Sequence, residues 1–156
     1  MQYLKSHMDQ KCRPYASKAI REGCNILEID LQMAQGEIVL GHNFRPPLKM
    51  LFDCTLDEYL HRIVESHPGV KVIVQLDIKE ICITSKGMKN FSKKLADQLI
   101  PYFNGNIEII VSANSGFNRL KTLEYVRSYL NTSGWPAPIW YEWREGKDIK
   151  TVDLWR

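Results

Sequence analysis

Two short patterns place charged side chains on runs that are otherwise apolar. In ILEIDL (26–31), Glu28 and Asp30 alternate with apolar residues, and in VKVIVQLDIK (70–79) Asp77 and Lys79 alternate in the same way. Side chains of a β-strand point alternately to its two faces, so each pair lies on one face. Taken alone, the first pair is also explained by a solvent-facing strand, and the second by a local ion pair.

Together, the carboxylates of Glu28, Asp30 and Asp77 predict a metal site. Three carboxylates on neighbouring strands of a parallel, apolar sheet repel one another and lose hydration, and a divalent cation would remove that cost. Oxygen ligands suit Mg²⁺ or Ca²⁺ better than Zn²⁺, which prefers histidine and cysteine. We therefore predict one divalent cation, with Mg²⁺ favoured.

Two histidines follow predicted strands and extend the candidate site. His7 follows the first strand, and His42 follows the strand after the Gln35-Gly36 turn. A lone histidine there is often an ordinary loop residue, but two beside a metal suit acid–base catalysis, because the histidine pKa lies near neutral. With Lys79 neutralising phosphate oxygens, the set predicts metal-assisted phosphodiester cleavage. Which histidine is the acid and which is the base stays open.

Strand and helix patterns alternate along the chain. The predicted strands cover residues 2–6, 26–31, 38–40, 70–78, 107–113 and 137–143. The predicted helices run over Tyr15–Arg21, from a Thr55/Glu58 capping box, from near Ser85 to Pro101, and from Asn114 or Ser115 to about Leu130. This alternation predicts a parallel sheet covered by helices, with its site at the carboxyl ends of the strands. Residues 144–156 show weak periodicity and receive no assignment.

Composition narrows the class of protein. A length of 156 residues with 44% hydrophobic residues predicts a single domain, 1–156, with its own core. The net charge of +3 without a clustered basic patch argues against nucleic acid as a partner. Four cysteines without CxxC spacing predict free thiols. With no signal peptide or membrane span visible, the expected location is cytoplasmic if Met1 is the true start.

The motifs SHMDQ, LEIDL, IVLGHNF, TLDEYL and VQLDIKE occur in that order over residues 1–80. Their order and spacing resemble the glycerophosphodiester phosphodiesterase and phosphatidylinositol-phospholipase-C-like superfamily, and particularly its sphingomyelinase D-like branch. The resemblance implies a TIM-type (β/α) barrel that holds one divalent cation. It implies that His7 and His42 are the acid–base pair and that Lys79 lies near the substrate phosphate. The implied metal ligands are Glu28, Asp30 and Asp77.

The resemblance also implies a substrate class: glycerophosphodiesters or phospholipids with a small alcohol headgroup. In the sphingomyelinase D branch the lipid's own hydroxyl attacks and leaves a cyclic phosphate, so hydrolysis and cyclisation both stay open. Peripheral membrane contact is a further expectation. The aromatic residues near the C-terminal end could serve it, or belong to the core of the last strand: Trp135, Trp140, Tyr141, Trp143 and Trp155.

Length sets a second expectation. A complete eight-stranded barrel takes about 200–250 residues, and only five barrel strands are predicted here, so we expect a partial barrel truncated at its C-terminus. Open sheet edges attract other strands, and self-association would cover them. The alternative function is a non-catalytic relic of this barrel that acts as a binding or interaction domain.

The paired roles of the histidines predict that His7→Ala and His42→Ala each abolish turnover of a glycerophosphodiester, because each removes one of two required proton transfers. Choline or glycerol release measures turnover, and circular dichroism checks that each variant is folded. Full rate in either variant would contradict the assignment.

Overall fold

The computed structural model describes residues 5–7, 15–41, 54–79, 84–102, 105–114, 117–134, 140–145 and 148–153. Within these ranges the chain forms seven strands and four α-helices. The strands are β1 (Lys5–His7), β2 (Ile26–Ala34), β3 (Glu37–Leu40), β4 (Val72–Ile78), β5 (Ile107–Asn114), β6 (Trp140–Glu145) and β7 (Asp148–Asp153). The helices are α1 (Tyr15–Arg21), α2 (Leu56–Ser66), α3 (Ser85–Leu99) and α4 (Phe117–Thr132), and a 3₁₀ turn, Ile100–Tyr102, follows α3.

The strands form one open, mixed sheet, so the predicted partial TIM-type barrel is wrong. The order is β1-β2-β4-β5-β6-β7, with β3 paired to β2 outside this path. Neighbouring strands in the series β1-β2-β4-β5-β6 pair in parallel, whereas β3 pairs with β2, and β7 with β6, in the antiparallel direction. A TIM barrel needs eight parallel strands that close on themselves. In the described sheet β1 and β7 lie at opposite ends.

The hairpin of β6 and β7 explains why the parallel series ends. Trp140 pairs with Asp153 and Glu145 with Asp148, so the chain turns straight back along the outer edge of β6. That edge is where a further parallel strand would have to bind. The weak periodicity of residues 144–156 concealed β7 from sequence analysis, and an antiparallel return needs only a tight turn instead of a crossover helix.

The four helices belong to one side of the sheet. The chain runs from β1 through β2, β4 and β5 to β6, and each of these connections moves one strand further in the same direction across the sheet. Parallel crossovers are right-handed, so connections that all move in one direction place their helices on the same face. The buried core agrees: Leu27, Leu76 and Val111 share a cluster with helix residues such as Leu60 and Leu95. Apolar strand residues on this face therefore carry most of the packing.

Local signals position these elements as expected. The Thr55 hydroxyl accepts from the Glu58 N–H at 3.2 Å, and the Glu58 carboxylate accepts from the Thr55 N–H at 2.9 Å, which completes the predicted capping box of α2. At the turn after β2, Gln35 and Gly36 have φ of 51° and 82°, as a two-residue hairpin turn requires. Helix α3 begins at Ser85 with Thr84 as its N-cap, in agreement with the start predicted near Ser85.

Strand β2 is longer than predicted, and this changes where the acidic pair lies. Its parallel ladder with β4 ends at Leu31, but the strand continues to Ala34 because its last residues pair with β3. Glu28 and Asp30 therefore sit inside β2 rather than at its end. They lie near the carboxyl end of the ladder with β4, where the expected site forms.

No helix among the described residues is long and apolar enough to cross a membrane. Cys54 is disulfide-bonded, so the prediction of four free thiols is wrong at this residue. Cys24 is a free, partly buried thiol, as predicted. Cys12 and Cys82 lie outside the described residues.

The one-sided packing predicts different costs for two substitutions on β4. Leu76→Ala removes a fully buried side chain from the helix-covered face and should lower the free energy of unfolding by about 2–5 kcal/mol. Ile73 lies on the opposite face and is partly exposed, so Ile73→Ala should cost clearly less. Urea denaturation followed by circular dichroism measures both. Equal losses would contradict the assignment of the two faces.

Candidate functional site

The face of the sheet opposite the helices carries the polar side chains. On β2 they are Glu28, Asp30 and Gln32, and on β4 and just after it they are Gln75, Asp77 and Lys79. Successive side chains of a strand point to opposite faces of the sheet, so the alternation that makes the helix-covered face apolar also places these polar side chains together on the other face. The carboxyl and amide groups of Glu28, Gln75 and Asp77 are buried here, and buried polar groups of this kind need partners.

Strand register aligns these residues into two neighbouring rows. In the first row His7 lies opposite Glu28, and Glu28 lies opposite Gln75. In the second row Asp30 lies opposite Asp77, and Asp77 opposite Ser112 of β5. Adjacent strands are about 4.8 Å apart. The acidic residues predicted from two separate motifs are therefore direct neighbours across a parallel ladder.

The Lys79 ammonium joins the two aspartates of the second row. It lies 3.3 Å from Asp30 Oδ1 and donates a hydrogen bond to Asp77 Oδ2. The three side chains are only 12%, 13% and 10% exposed for Lys79, Asp30 and Asp77. The ion pair that sequence analysis left as an alternative for Asp77 and Lys79 is therefore present, and it includes a third group, Asp30, from the neighbouring strand.

One carboxylate oxygen of this group is left over. Asp77 Oδ1 is buried and accepts no hydrogen bond from the described residues, although a buried carboxylate oxygen without a partner is costly. A hard cation is the kind of group that such an oxygen suits. Asp77 Oδ1 therefore has the chemistry of an oxygen ligand, and the divalent cation stays a prediction.

The arrangement is not a finished coordination group. Among the described residues, no three or more His, Cys, Asp or Glu side chains are grouped so that they could hold a metal ion. Glu28 lies two residues before Asp30, roughly 7 Å along the strand. The Lys79 ammonium lies between the other two carboxylates. The Lys79 ammonium neutralises these two aspartates.

Gln75 and Ser112 extend the polar face towards β5. The Gln75 amide donates a hydrogen bond of 3.2 Å to the Ser112 hydroxyl, and both side chains are buried. Gln75 was missed in the sequence. It stands two residues before Asp77 in VQLDIK, so period two could have placed it on the same face.

The described residues of both histidine motifs lie beside β2. His7 belongs to β1 and is aligned with Glu28. The Gly41 N–H donates to the Asp30 carbonyl at 2.8 Å, so the residue before His42 lies beside the middle of β2. The His7 side chain and the whole of His42 lie outside the described residues, and the predicted catalytic pair stays a prediction.

Most of the predicted aromatic cluster also lies beyond what the structure describes. Trp140, Tyr141 and Trp143 belong to β6, and their backbones are aligned with β5. Their side chains are outside the described residues, as are Trp135 and Trp155. Asn114 ends β5, and Ser115, the other candidate cap of the next helix, is outside the described residues.

No protein-family model matches this chain, and no curated protein matches it. The resemblance in its motifs therefore stays a prediction.

The buried lysine predicts a large effect of Lys79→Met on stability in the absence of divalent cations. It would leave two aspartates facing each other without their shared counter-charge, so the free energy of unfolding should fall by about 3–5 kcal/mol. Lys71→Met is the matched control, because its pair with Glu108 at 3.1 Å is exposed and should contribute at most about 1 kcal/mol. Chemical denaturation in EDTA compares the two, and similar losses would contradict a buried, shared counter-charge.

Proposed function

We propose that this protein is a divalent-cation-dependent phosphodiesterase: a phosphoric diester hydrolase or a phospholipase D-like lyase. Its substrates are glycerophosphodiesters or phospholipids with a small alcohol headgroup. The observation that carries the proposal is the Asp30–Lys79–Asp77 group. It combines a buried carboxylate, a partly buried carboxylate and a partly buried ammonium at the carboxyl end of a parallel ladder. Carboxylates for a cation and a lysine for a phosphate are what phosphoryl chemistry needs.

The carboxylates hold the cation in this proposal. Asp77 contributes Oδ1, which accepts no hydrogen bond from the described residues. Asp30 and Glu28 contribute carboxylate oxygens from β2. When bound, the cation supplies Lewis-acid neutralisation of charge on the phosphate oxygens, and Mg²⁺ suits an all-oxygen donor set. Lys79 adds a second positive charge for the same phosphate. Burial of the group strengthens its attraction for an anion, because water screens it less.

The proton transfers are assigned to His7 and His42. One imidazole takes the proton from the attacking oxygen, either of water or of a hydroxyl within the lipid, as that oxygen bonds to phosphorus. The other imidazole gives a proton to the headgroup oxygen as its bond to phosphorus breaks. Attack by water yields an open phosphate monoester, and attack by the internal hydroxyl yields a cyclic diester.

Turnover of glycerophosphocholine and lysophosphatidylcholine tests the proposal. With Mg²⁺ we expect choline or glycerol release, which EDTA stops, and ³¹P NMR distinguishes an open from a cyclic product. Asp77→Asn should reduce the rate by at least about a hundredfold, because even partners that only orient a metal ligand are worth 10–100-fold. Glu108→Gln changes an exposed carboxylate that pairs with Lys71 and serves as the control.

Different results of these measurements would contradict different parts of the proposed function. Mg²⁺ binding that Asp77→Asn abolishes, without turnover of either substrate, would contradict the enzyme and favour the non-catalytic binding domain. Turnover that persists in EDTA would contradict the dependence on a cation. An equal loss of rate in Glu108→Gln and Asp77→Asn would contradict the location of the site.

A further inference from the structure

The triplet Asn131-Thr132-Ser133 is an acceptor sequence for N-linked glycans, and the proposed function does not use it. An asparagine followed by any residue except proline, and then by serine or threonine, is the pattern that is glycosylated in secreted proteins. The sequence holds a second such triplet, Asn90-Phe91-Ser92. Patterns this short also arise by chance, so the structure around each triplet has to distinguish them.

The first triplet lies at the exposed end of α4. All three of its side chains are exposed, and Thr132 is the last residue of the helix. The Ser133 hydroxyl donates to the Tyr129 carbonyl at 2.9 Å, and the Gly134 N–H donates to the Asn131 carbonyl at 3.1 Å. These bonds belong to the final turn, and helix ends fray. Asn131 can therefore leave the helical conformation without opening the core.

The second triplet is fixed inside α3. Asn90 is exposed, but the two residues that follow it, Phe91 and Ser92, are buried. The Ser92 hydroxyl donates to the Thr122 carbonyl of α4 at 3.0 Å. Because the acceptor pattern includes the hydroxyl of its third residue, Asn90 is presented as an acceptor only before the chain folds. Asn131 stays accessible in the folded protein as well.

The disulfide of Cys54 is a second, independent observation. Cys54 is disulfide-bonded and buried, two residues before the start of α2. Disulfides form and persist in oxidising compartments such as the lumen of the endoplasmic reticulum, and they are rare in the cytosol. Asparagine glycosylation is likewise a modification of secreted proteins. The disulfide and the exposed triplet therefore point to the same compartment.

We propose that Asn131 is an N-glycosylation site and that the protein matures in a eukaryotic secretory compartment. The donor is an oligosaccharide linked to a lipid diphosphate. The Asn131 amide nitrogen bonds to the anomeric carbon of the first sugar and loses one proton. The bond from that carbon to the diphosphate oxygen breaks, and the lipid diphosphate leaves with the bonding electrons, so nothing is oxidised or reduced. The inference does not depend on the proposed function, and it replaces the expectation of a cytoplasmic location.

The position of Asn131 leaves the candidate site open. Helix α4 begins at Phe117, shortly after β5 ends at Asn114, on the side of the sheet where the carboxyl ends of the parallel strands lie. The helix has 16 residues and is therefore about 24 Å long, and Asn131 lies at its other end. A bulky, polar glycan would extend into solvent there, away from the candidate site.

Expression in insect cells, from the protein's own complete coding sequence and without an added leader, tests the site and the compartment together. Peptide N-glycosidase F should increase the gel mobility of the wild type, and mass spectrometry should find aspartate in place of asparagine at residue 131. Asn131→Gln should lose this mobility shift, whereas Asn90→Gln should keep it. A wild type without a glycan, or a shift that Asn90→Gln loses and Asn131→Gln keeps, would overturn the proposal.

Two variants of Ser133 keep the test valid if Asn131→Gln does not fold. Ser133→Ala leaves Asn131 in place but removes the hydroxyl of the acceptor pattern, so it should also lose the glycan. Ser133→Thr keeps a hydroxyl and should keep the glycan. Both change an exposed side chain and should cost little stability. Full glycosylation of Ser133→Ala would contradict Asn131 as the acceptor.

The thiols of the same wild-type preparation test the compartment independently. Alkylation in denaturant, followed by mass spectrometry, should modify Cys54 only after reduction, whereas the free thiol of Cys24 should react without it. A Cys54 thiol that reacts before reduction would overturn the proposal, because the oxidising compartment is inferred from its disulfide.

Discussion

The parallel ladder between β2 and β4 is the constraint on which the candidate site depends. It aligns Asp30 with Asp77 and ends one residue later, at the Leu31–Ile78 pair. Beyond it the Lys79 N–H still donates to the Leu31 carbonyl at 2.9 Å, which holds the lysine close to both aspartates. A shift of one residue in this register would turn the charged side chains towards the helices. The apolar core on the opposite face therefore maintains the polar group as well.

Burial of these charges bears on the proposed function. An ion pair inside a protein is weak evidence for stability, because an apolar replacement of similar volume often stabilises as much or more. Two carboxylates and a lysine on the inner strands are therefore more readily explained by a ligand than by folding. In the proposed function a cation binds the negatively charged carboxylates and a phosphate binds the positively charged lysine. The polar Gln75–Ser112 pair lies on the same face of the sheet.

Local signals predicted much of the fold correctly. The capping box at Thr55 set the start of α2, the Gln35-Gly36 turn set the β2–β3 hairpin, and α1 has the predicted bounds. Each depends on residues within one or two turns of chain. The partial TIM-type barrel was wrong, since the way a sheet ends depends on which strand pairs with the last parallel one. Nothing in the alternation of strands and helices indicated that β7 would return antiparallel on β6.

The sequence by itself determined which side chains share a face, because alternation at period two is a property of the extended backbone. It thereby selected Glu28, Asp30, Asp77 and Lys79 as one chemical group. Only the tertiary structure decided how that group is arranged. Strand register placed Asp30 against Asp77 and left Glu28 a row away, and packing put the lysine ammonium between the two aspartates. Distances between strands arise from long-range pairing, which no local pattern encodes.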